Sequence, residues 1–298
     1  MTPISIVVGY DLSRESDLAI DWATEHARRV GGRLSVLHIR TPMPGQVFSP
    51  DGAFGWQLWT TVSDDDPAPA LPGVERAKAV LGEDAVSVEV STGSAPGRLV
   101  EASQTADLVV VGSHGHGVLM TTLVGSTAYA VAAHAQCPVA VIRAPRDAAA
   151  AAFPGPDRPV VVGLEQTEDL TPILDAATPF AVRREAALRL VRVTPAPPVA
   201  GYAPLGEVTT QVDVDVVEAD RELLRRATEQ IRAKHPDMQV ETSHEEGGVA
   251  QVLAAHARTA GLVVVGSRGL GGFAGLLLGS VSRAVTRHPV CPTLVVRD

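Results

Sequence analysis

Cysteine is nearly absent from this chain, with two in 298 residues. Each stands just ahead of a strand pattern at the same point of a repeat described below, so the two are poor disulfide partners and point to a reducing, cytoplasmic setting. Basic residues are outnumbered, 25 Lys and Arg against 34 Asp and Glu, giving a net charge of −9. That balance argues against nonspecific nucleic-acid binding, which rests on basic surface. No uninterrupted apolar run reaches the roughly 18 residues of a membrane span. The opening MTPISIVVGYD enters a strand pattern directly, with no charged region and apolar segment of a secretory leader. A soluble, cytoplasmic globular protein is expected. No Gly-Lys-Ser/Thr sequence occurs, so a Walker loop with its phosphate-seeking lysine is ruled out. No spacing suggests a Ser-His-Asp or Cys-His nucleophile.

The chain is instead rich in one pattern, present twice. Gly112-Ser113-His114-Gly115, nine residues and Gly125-Ser126 are matched by Gly266-Ser267-Arg268-Gly269, nine residues and Gly279-Ser280. The offset of 154 residues also carries Gly9 onto Gly163, Asp11 onto Glu165, Cys137 onto Cys291 and Arg143 onto Arg297. A period this long is a whole domain rather than a solenoid unit. Two domains are therefore expected, 1–145 and 159–298, joined by 146–158, where an alanine run mixes with Pro and Gly.

Each half alternates strand and helix patterns. In the first, short apolar runs predict strands over 4–8, 34–39, 86–90, 108–111 and 139–142. Ser13 is placed to cap a helix whose apolar residues follow helical spacing and which Gly31-Gly32 stops. Further helices are predicted over 74–81, 96–105 and 126–134. In the second, strands are predicted over 160–164, 188–193, 238–242, 262–265 and 293–296, and helices over 170–181, 217–234, 249–259 and 280–287. Pro179 is expected to end the first of those helices early. Residues 41–73 carry no pattern and read as a long connection, holding Phe48, Phe54, Trp56 and Trp59; these rings most simply tether the connection to its domain. Alternation throughout makes the class α/β, with parallel sheets covered by helices on both faces.

In an open parallel sheet ligands sit beyond the carboxyl ends of the strands, where the strand order reverses. Gly9-Tyr10-Asp11 after strand one and the run 112–117 after strand four meet there. Gly112 and Gly115 let backbone N–H groups approach a ligand with no Cβ in the way. Gly125-Ser126 opens a helix whose unpaired N–H groups and positive dipole end attract an anion, and the hydroxyl adds a donor. Asp11 does not suit a bare phosphate; it suits a ribose hydroxyl or a metal bridging phosphates, with helix capping as the plain alternative. Main-chain groups near Ile39 could meet a base. His114 with His116, and His134 with Cys137, have ligand-like spacing, but each pair is incomplete as a metal site. A nicotinamide-type Rossmann fingerprint fails on position, since here the glycines follow the fourth strand and not the first.

These motifs, with Val8-Gly9-Tyr10-Asp11-Leu12-Ser13 and the closing Cys-Pro strand of each half, resemble the universal stress protein family in its tandem form. The resemblance covers nearly the whole chain. It implies two doubly wound domains of the nucleotide-binding alpha-hydrolase-like type. Each has a five-stranded parallel sheet of order 3-2-1-4-5, with 139–142 paired to 293–296 about a pseudo-twofold axis. It implies ATP as ligand, with Mg as an optional companion; the residues themselves, anion donors and one carboxylate per site with no evident base for water, predict little or no turnover. A homodimer and a protein partner are further implications; neither nucleic acid nor membrane is. The first site would use Gly9, Asp11, Ile39, Gly112, His114, Gly115, His116, Gly117, Gly125, Ser126 and Thr127. The second would use Gly163, Glu165, Val193, Gly266, Arg268, Gly269, Gly271, Gly279, Ser280 and Val281. Glu165-Gln166-Thr167 departs from the family's usual acid-Gly-Ser, so unequal affinities are expected. A slow ATPase, and a module taking AMP, cyclic AMP or nothing, stand as alternatives.

Overall fold

The computed structural model describes residues 3–40, 44–48, 54–58, 71–113, 125–143, 151–195, 209–267, 278–287 and 291–297, with backbone alone at 44–48, 54–58, 209–214 and 286–287. By internal contacts the described chain forms two units, one ending at Cys137 and the other beginning at Pro138.

The first unit runs β1 (Ser5–Gly9), α1 (Arg14–Val30), β2 (Arg33–Arg40), the hairpin β3 (Pro44–Phe48) and β4 (Phe54–Leu58), α2 (Pro72–Leu81), β5 (Val86–Thr92), α3 (Ala95–Ala102), β6 (Leu108–Gly112) and α4 (Ser126–His134). Its main sheet has the order β5-β2-β1-β6, all parallel. Ile6 and Val8 on β1 and Val109 and Val110 on β6 are wholly buried, as expected of strands covered on both faces. Ser13 caps α1 as the sequence suggested, its hydroxyl accepting from Ser16 N at 3.2 Å. Gly31 ends the helix at φ 66°, a left-handed position that glycine takes at no steric cost. Trp22, Ala19, Ala23 and Ala27 lie on the buried face of α1. Tyr10, just past β1, ties α2 to α1: its hydroxyl donates to Asp17 at 2.8 Å and accepts from Gly73 N at 3.3 Å. Burial, then the Asp17 bond, push the Tyr10 hydroxyl up to about 12.

The second unit begins with β7 (Val139–Ile142) and continues β8 (Val160–Leu164), α5 (Thr171–Val182), β9 (Leu188–Thr194), α6 (Thr209–Lys234), β10 (Val240–Glu246), α7 (Val249–Ala257), β11 (Leu262–Gly266), α8 (Ser280–Arg287) and β12 (Thr293–Val296). Its order is β10-β9-β8-β11-β12-β7. The first five strands are parallel in the 3-2-1-4-5 arrangement. β7 runs antiparallel to β12, with Thr293 opposite Val141 and Leu294 opposite Ala140. The first half's fifth strand is therefore seated in the second unit's sheet. Cys137 and Cys291, just ahead of β7 and β12, form no disulfide; burial pushes their thiols up to about 11 and about 12.

Four features differ from the sequence expectation. Pro179 does not end α5, which continues to Val182. Both Pro179 and Asp175, whose carbonyl loses its usual helical donor to the proline, fall on the exposed side of the helix, where water can satisfy that carbonyl. The unpatterned stretch 41–73 holds the β3–β4 hairpin, with Phe48 opposite Phe54 and Gln46 opposite Trp56; Trp59 lies outside the described residues. α6 starts eight residues before the expected 217, because the alternation Val212-Asp213-Val214-Asp215-Val216 has the period of a strand. β10 runs on to Glu246 through Ser243-His244-Glu245, polar residues that an edge strand tolerates.

One buried charge fastens α6. Asp220 is 1% exposed. Its carboxylate accepts from Arg192 Nε on β9 and from the Thr194 hydroxyl, both at 2.6 Å, and lies 3.3 Å from His244 Nε2 on β10. Burial alone would raise this carboxyl. The Thr194 bond, the Arg192 bond and the nearby charges outweigh it and hold Asp220 below the usual carboxylate range.

Candidate functional site

In both units the first and fourth strands lie side by side, β1 with β6 and β8 with β11. This is the switch point of the doubly wound sheet, where the crevice opens beyond the strand ends. Gly9-Tyr10-Asp11 and Gly112-Ser113 leave one pair of strands; Gly163-Leu164-Glu165 and Gly266-Ser267 leave the other.

The loop after each fourth strand returns to its own start. Gly125 N donates to the Ser113 carbonyl at 2.8 Å, and Gly279 N to that of Ser267 at 2.7 Å. Ser113 and Ser267 are buried, so this closure is a fixed hinge point. It delivers Ser126 and Ser280, both exposed, as the first residues of α4 and α8, with Thr127 and Val281 next. No side chain caps α4 at Gly125, whereas Ser13 caps α1. Gly125 itself thus offers no side-chain acceptor to the leading N–H groups of α4, where the helix dipole favours an anion. Gly112 has a packing reason beyond the one read in the sequence: a Cβ there would fall 2.7 Å from the Glu15 carbonyl carbon and 2.8 Å from its oxygen, in the first turn of α1. His114, Gly115, His116, Gly117, Arg268, Gly269 and Gly271 lie outside the described residues.

Asp11 is exposed, and its Oδ1 accepts from Ser13 N at 3.0 Å and from the Ser13 hydroxyl at 2.5 Å. It therefore steadies the residue that caps α1 while remaining open to solvent. The turn sets Leu12 at φ 66°, a conformation that costs a bulky side chain about 1–2 kcal/mol, with that side chain 40% exposed. Leu12→Gly should raise the first unit's stability in a guanidinium melt by about 1 kcal/mol. A loss of stability would mean that the leucine packs against something that repays the strain.

In the second unit the crevice is a cleft with about 340 Å³ of empty volume, mouth included. Five residues singled out in the sequence line it: Gly163, Glu165, Val193, Gly266 and Val281. So do Leu164, Val191, Val249, Leu253 and Val265, which make one side apolar, and Ser282. The sequence reading missed these six. Val249 and Leu253 were findable, since their spacing of four puts them on one face of α7. Gly163 keeps the floor low: a Cβ there would stand 3.0 Å from Leu253 Cδ1. The first unit repeats the contact at Gly9, whose Cβ would meet Leu99 Cδ1 at 3.0 Å. Ile39 and Val193 hold equivalent places near the ends of β2 and β9. The lining thus mixes apolar side chains with Glu165, Ser282 and the start of α8, the mixture usual in a small-molecule cleft.

The described chain is a doubly wound α/β protein built twice. The family is then plain: the universal stress protein family matches residues 5–143 and again 158–297, and the chain belongs to it. It is 33% identical over 306 residues to a universal stress protein of Mycolicibacterium smegmatis, covering 99% of this chain and 98% of that one. It is 32% identical over 306 residues to one of Mycobacterium tuberculosis, covering 98% and 97%. Among solved structures, a universal stress protein from Archaeoglobus fulgidus shares the fold at a TM-score of 0.60 and 20% identity, over 98% of this chain and 97% of that one. A putative universal stress protein from Pseudomonas aeruginosa does so at 0.63 and 14%, over 99% and 93%. No described helix is long and apolar enough to cross a membrane.

Proposed function

We propose that the chain is an ATP-binding regulatory protein of the cytoplasm, in which nucleotide occupancy of two unequal clefts is the signal and turnover is slight. The observation that carries this reading is the doubled closure of the glycine loop onto Ser113 and Ser267, beside a helix start whose N-cap is a glycine without a side chain. In each cleft the adenine would lie on the apolar side, near Ile39 or Val193. The ribose would face Asp11 or Glu165, and the phosphates would meet the N-termini of α4 or α8. When bound, Mg²⁺ would offset polyphosphate charge. Gly9 and Gly163 keep room for the base by leaving the leucine behind each as the floor. Hydrolysis as a purpose needs a positioned base for water beside a metal and a charge clamp; the residues named here supply main-chain donors and one carboxylate per cleft.

Calorimetry with ATP, ADP, AMP, cyclic AMP and adenosine tests the reading. ATP is expected to bind most tightly, to both clefts, with hydrolysis far slower than dissociation. Tightest binding of cyclic AMP or AMP would replace ATP as the ligand. Metal-dependent turnover abolished by Asp11→Ala would make the protein an enzyme.

A further inference from the structure

The two halves differ at one buried position beside the phosphate end of the cleft. Ser282, the third residue of α8, is 2% exposed and lines the cleft of the second unit. Its hydroxyl donates to the Gly266 carbonyl at 2.5 Å and approaches that of Ser267 at 3.4 Å. These are the last carbonyl of β11 and the first of the glycine loop. The neighbouring groups are also anchored, with Ser267 N donating to Val296 O at 2.6 Å and Ser267 O accepting from Gly279 N at 2.7 Å. The equivalent residue of the first half is Ala128, likewise 2% exposed and third in α4, whose methyl group has no proton to give.

A carbonyl oxygen at the edge of an anion site presents the wrong end of its dipole to a phosphate. A hydroxyl proton directed onto that oxygen offsets the dipole and holds the Gly266–Ser267 peptide in place. We infer that Ser282 is a positioning residue for phosphate in the second cleft, and that the second cleft therefore holds the triphosphate more tightly than the first. This rests on the nucleotide reading above. It assigns the stronger site to the half whose Glu165-Gln166-Thr167 departs further from the family at its ribose end.

The test compares wild type, Ser282→Ala, Ser282→Thr and Ala128→Ser as full chains by calorimetry, with ATP and with adenosine as separate probes. Wild type should show two classes of ATP site. Ser282→Ala should weaken the tighter class by about five- to tenfold, the worth of one hydrogen bond to a charged ligand's cradle, and leave adenosine binding unchanged. Ser282→Thr keeps the hydroxyl and should restore tight binding. Ala128→Ser should tighten the weaker class by about threefold, giving a gain that misfolding could not mimic. Equal losses for ATP and adenosine in Ser282→Ala, or no loss for ATP, would overturn the clamp while leaving a nucleotide-binding protein. A wild type that takes up no adenine compound would overturn both readings.

Discussion

Asp220→Ala should lower the stability of the second unit by about 3–5 kcal/mol, because it strands the Arg192 guanidinium in a place built for a pair. The Arg192 side chain is 16% exposed, and that of Asp220 2%. Arg192 also donates to the Leu164 carbonyl at 3.3 Å, so its release would disturb the end of β8 from which Glu165 enters the cleft. The loss should be read from the second unit's transition in urea. The double change Arg192→Met with Asp220→Leu should recover most of it, since a buried ion pair replaced by apolar residues of similar volume is often neutral. Asp220→Asn is expected to fall between, keeping shape without charge. The carboxyl is held below its ordinary value in the folded state, so its stabilisation is complete above the unfolded value of about 4 and is lost as pH falls through the lower, folded one. Wild type should therefore lose stability below about pH 4 more steeply than the double variant. Equal slopes would show that Asp220 contributes nothing of the kind.

Gly112→Ala should cost the first unit about 3 kcal/mol, at the upper end for an added methyl group. The new Cβ would sit 2.7 Å from a backbone carbon of Glu15 and 2.8 Å from its oxygen. Backbone in the first turn of a capped helix cannot yield as a side chain does. Gly9→Ala is the matched control: its Cβ would meet the tip of Leu99 at 3.0 Å, which can rotate aside for about 1 kcal/mol. If the two variants melt together, the close approach of α1 to the end of β6 is not what requires a glycine. Because Gly112 begins the loop that Gly125 closes, the same variant should also weaken nucleotide binding at the first cleft.

Much of this was legible because parallel strands announce themselves. Val160 to Leu164 and Leu262 to Val265 are apolar without interruption, the mark of strands covered on both faces. The crevice was legible for a related reason: the glycines and the two carboxylates fall at strand ends that topology must bring together. What stayed hidden depended on tertiary surroundings. The Val-Asp alternation before residue 217 reads as strand and folds as helix, since packing overrides local period. Pro179 is tolerated because of the side of α5 on which it falls. The sequence pattern makes Gly112 a gap for ligand, whereas α1 packs against it, a relation between elements about 100 residues apart. Ser282 looked like one more helical serine, and its weight appears only once its hydroxyl is seen on Gly266. Asp220 was equally silent, because nothing in a mixed run of acids and bases marks the one that is buried.

One chain is expected to carry two clefts of the same build for an adenine nucleotide. Native mass spectrometry of the full chain with a modest excess of ATP tests it most directly. The expected spectrum shows chains with one ATP and with two, the second filling at higher concentration, and two-ATP species that fade in Ser282→Ala before adenosine complexes do. A spectrum of bare chain at every ATP concentration, matched by an unchanged melting temperature, would contradict it.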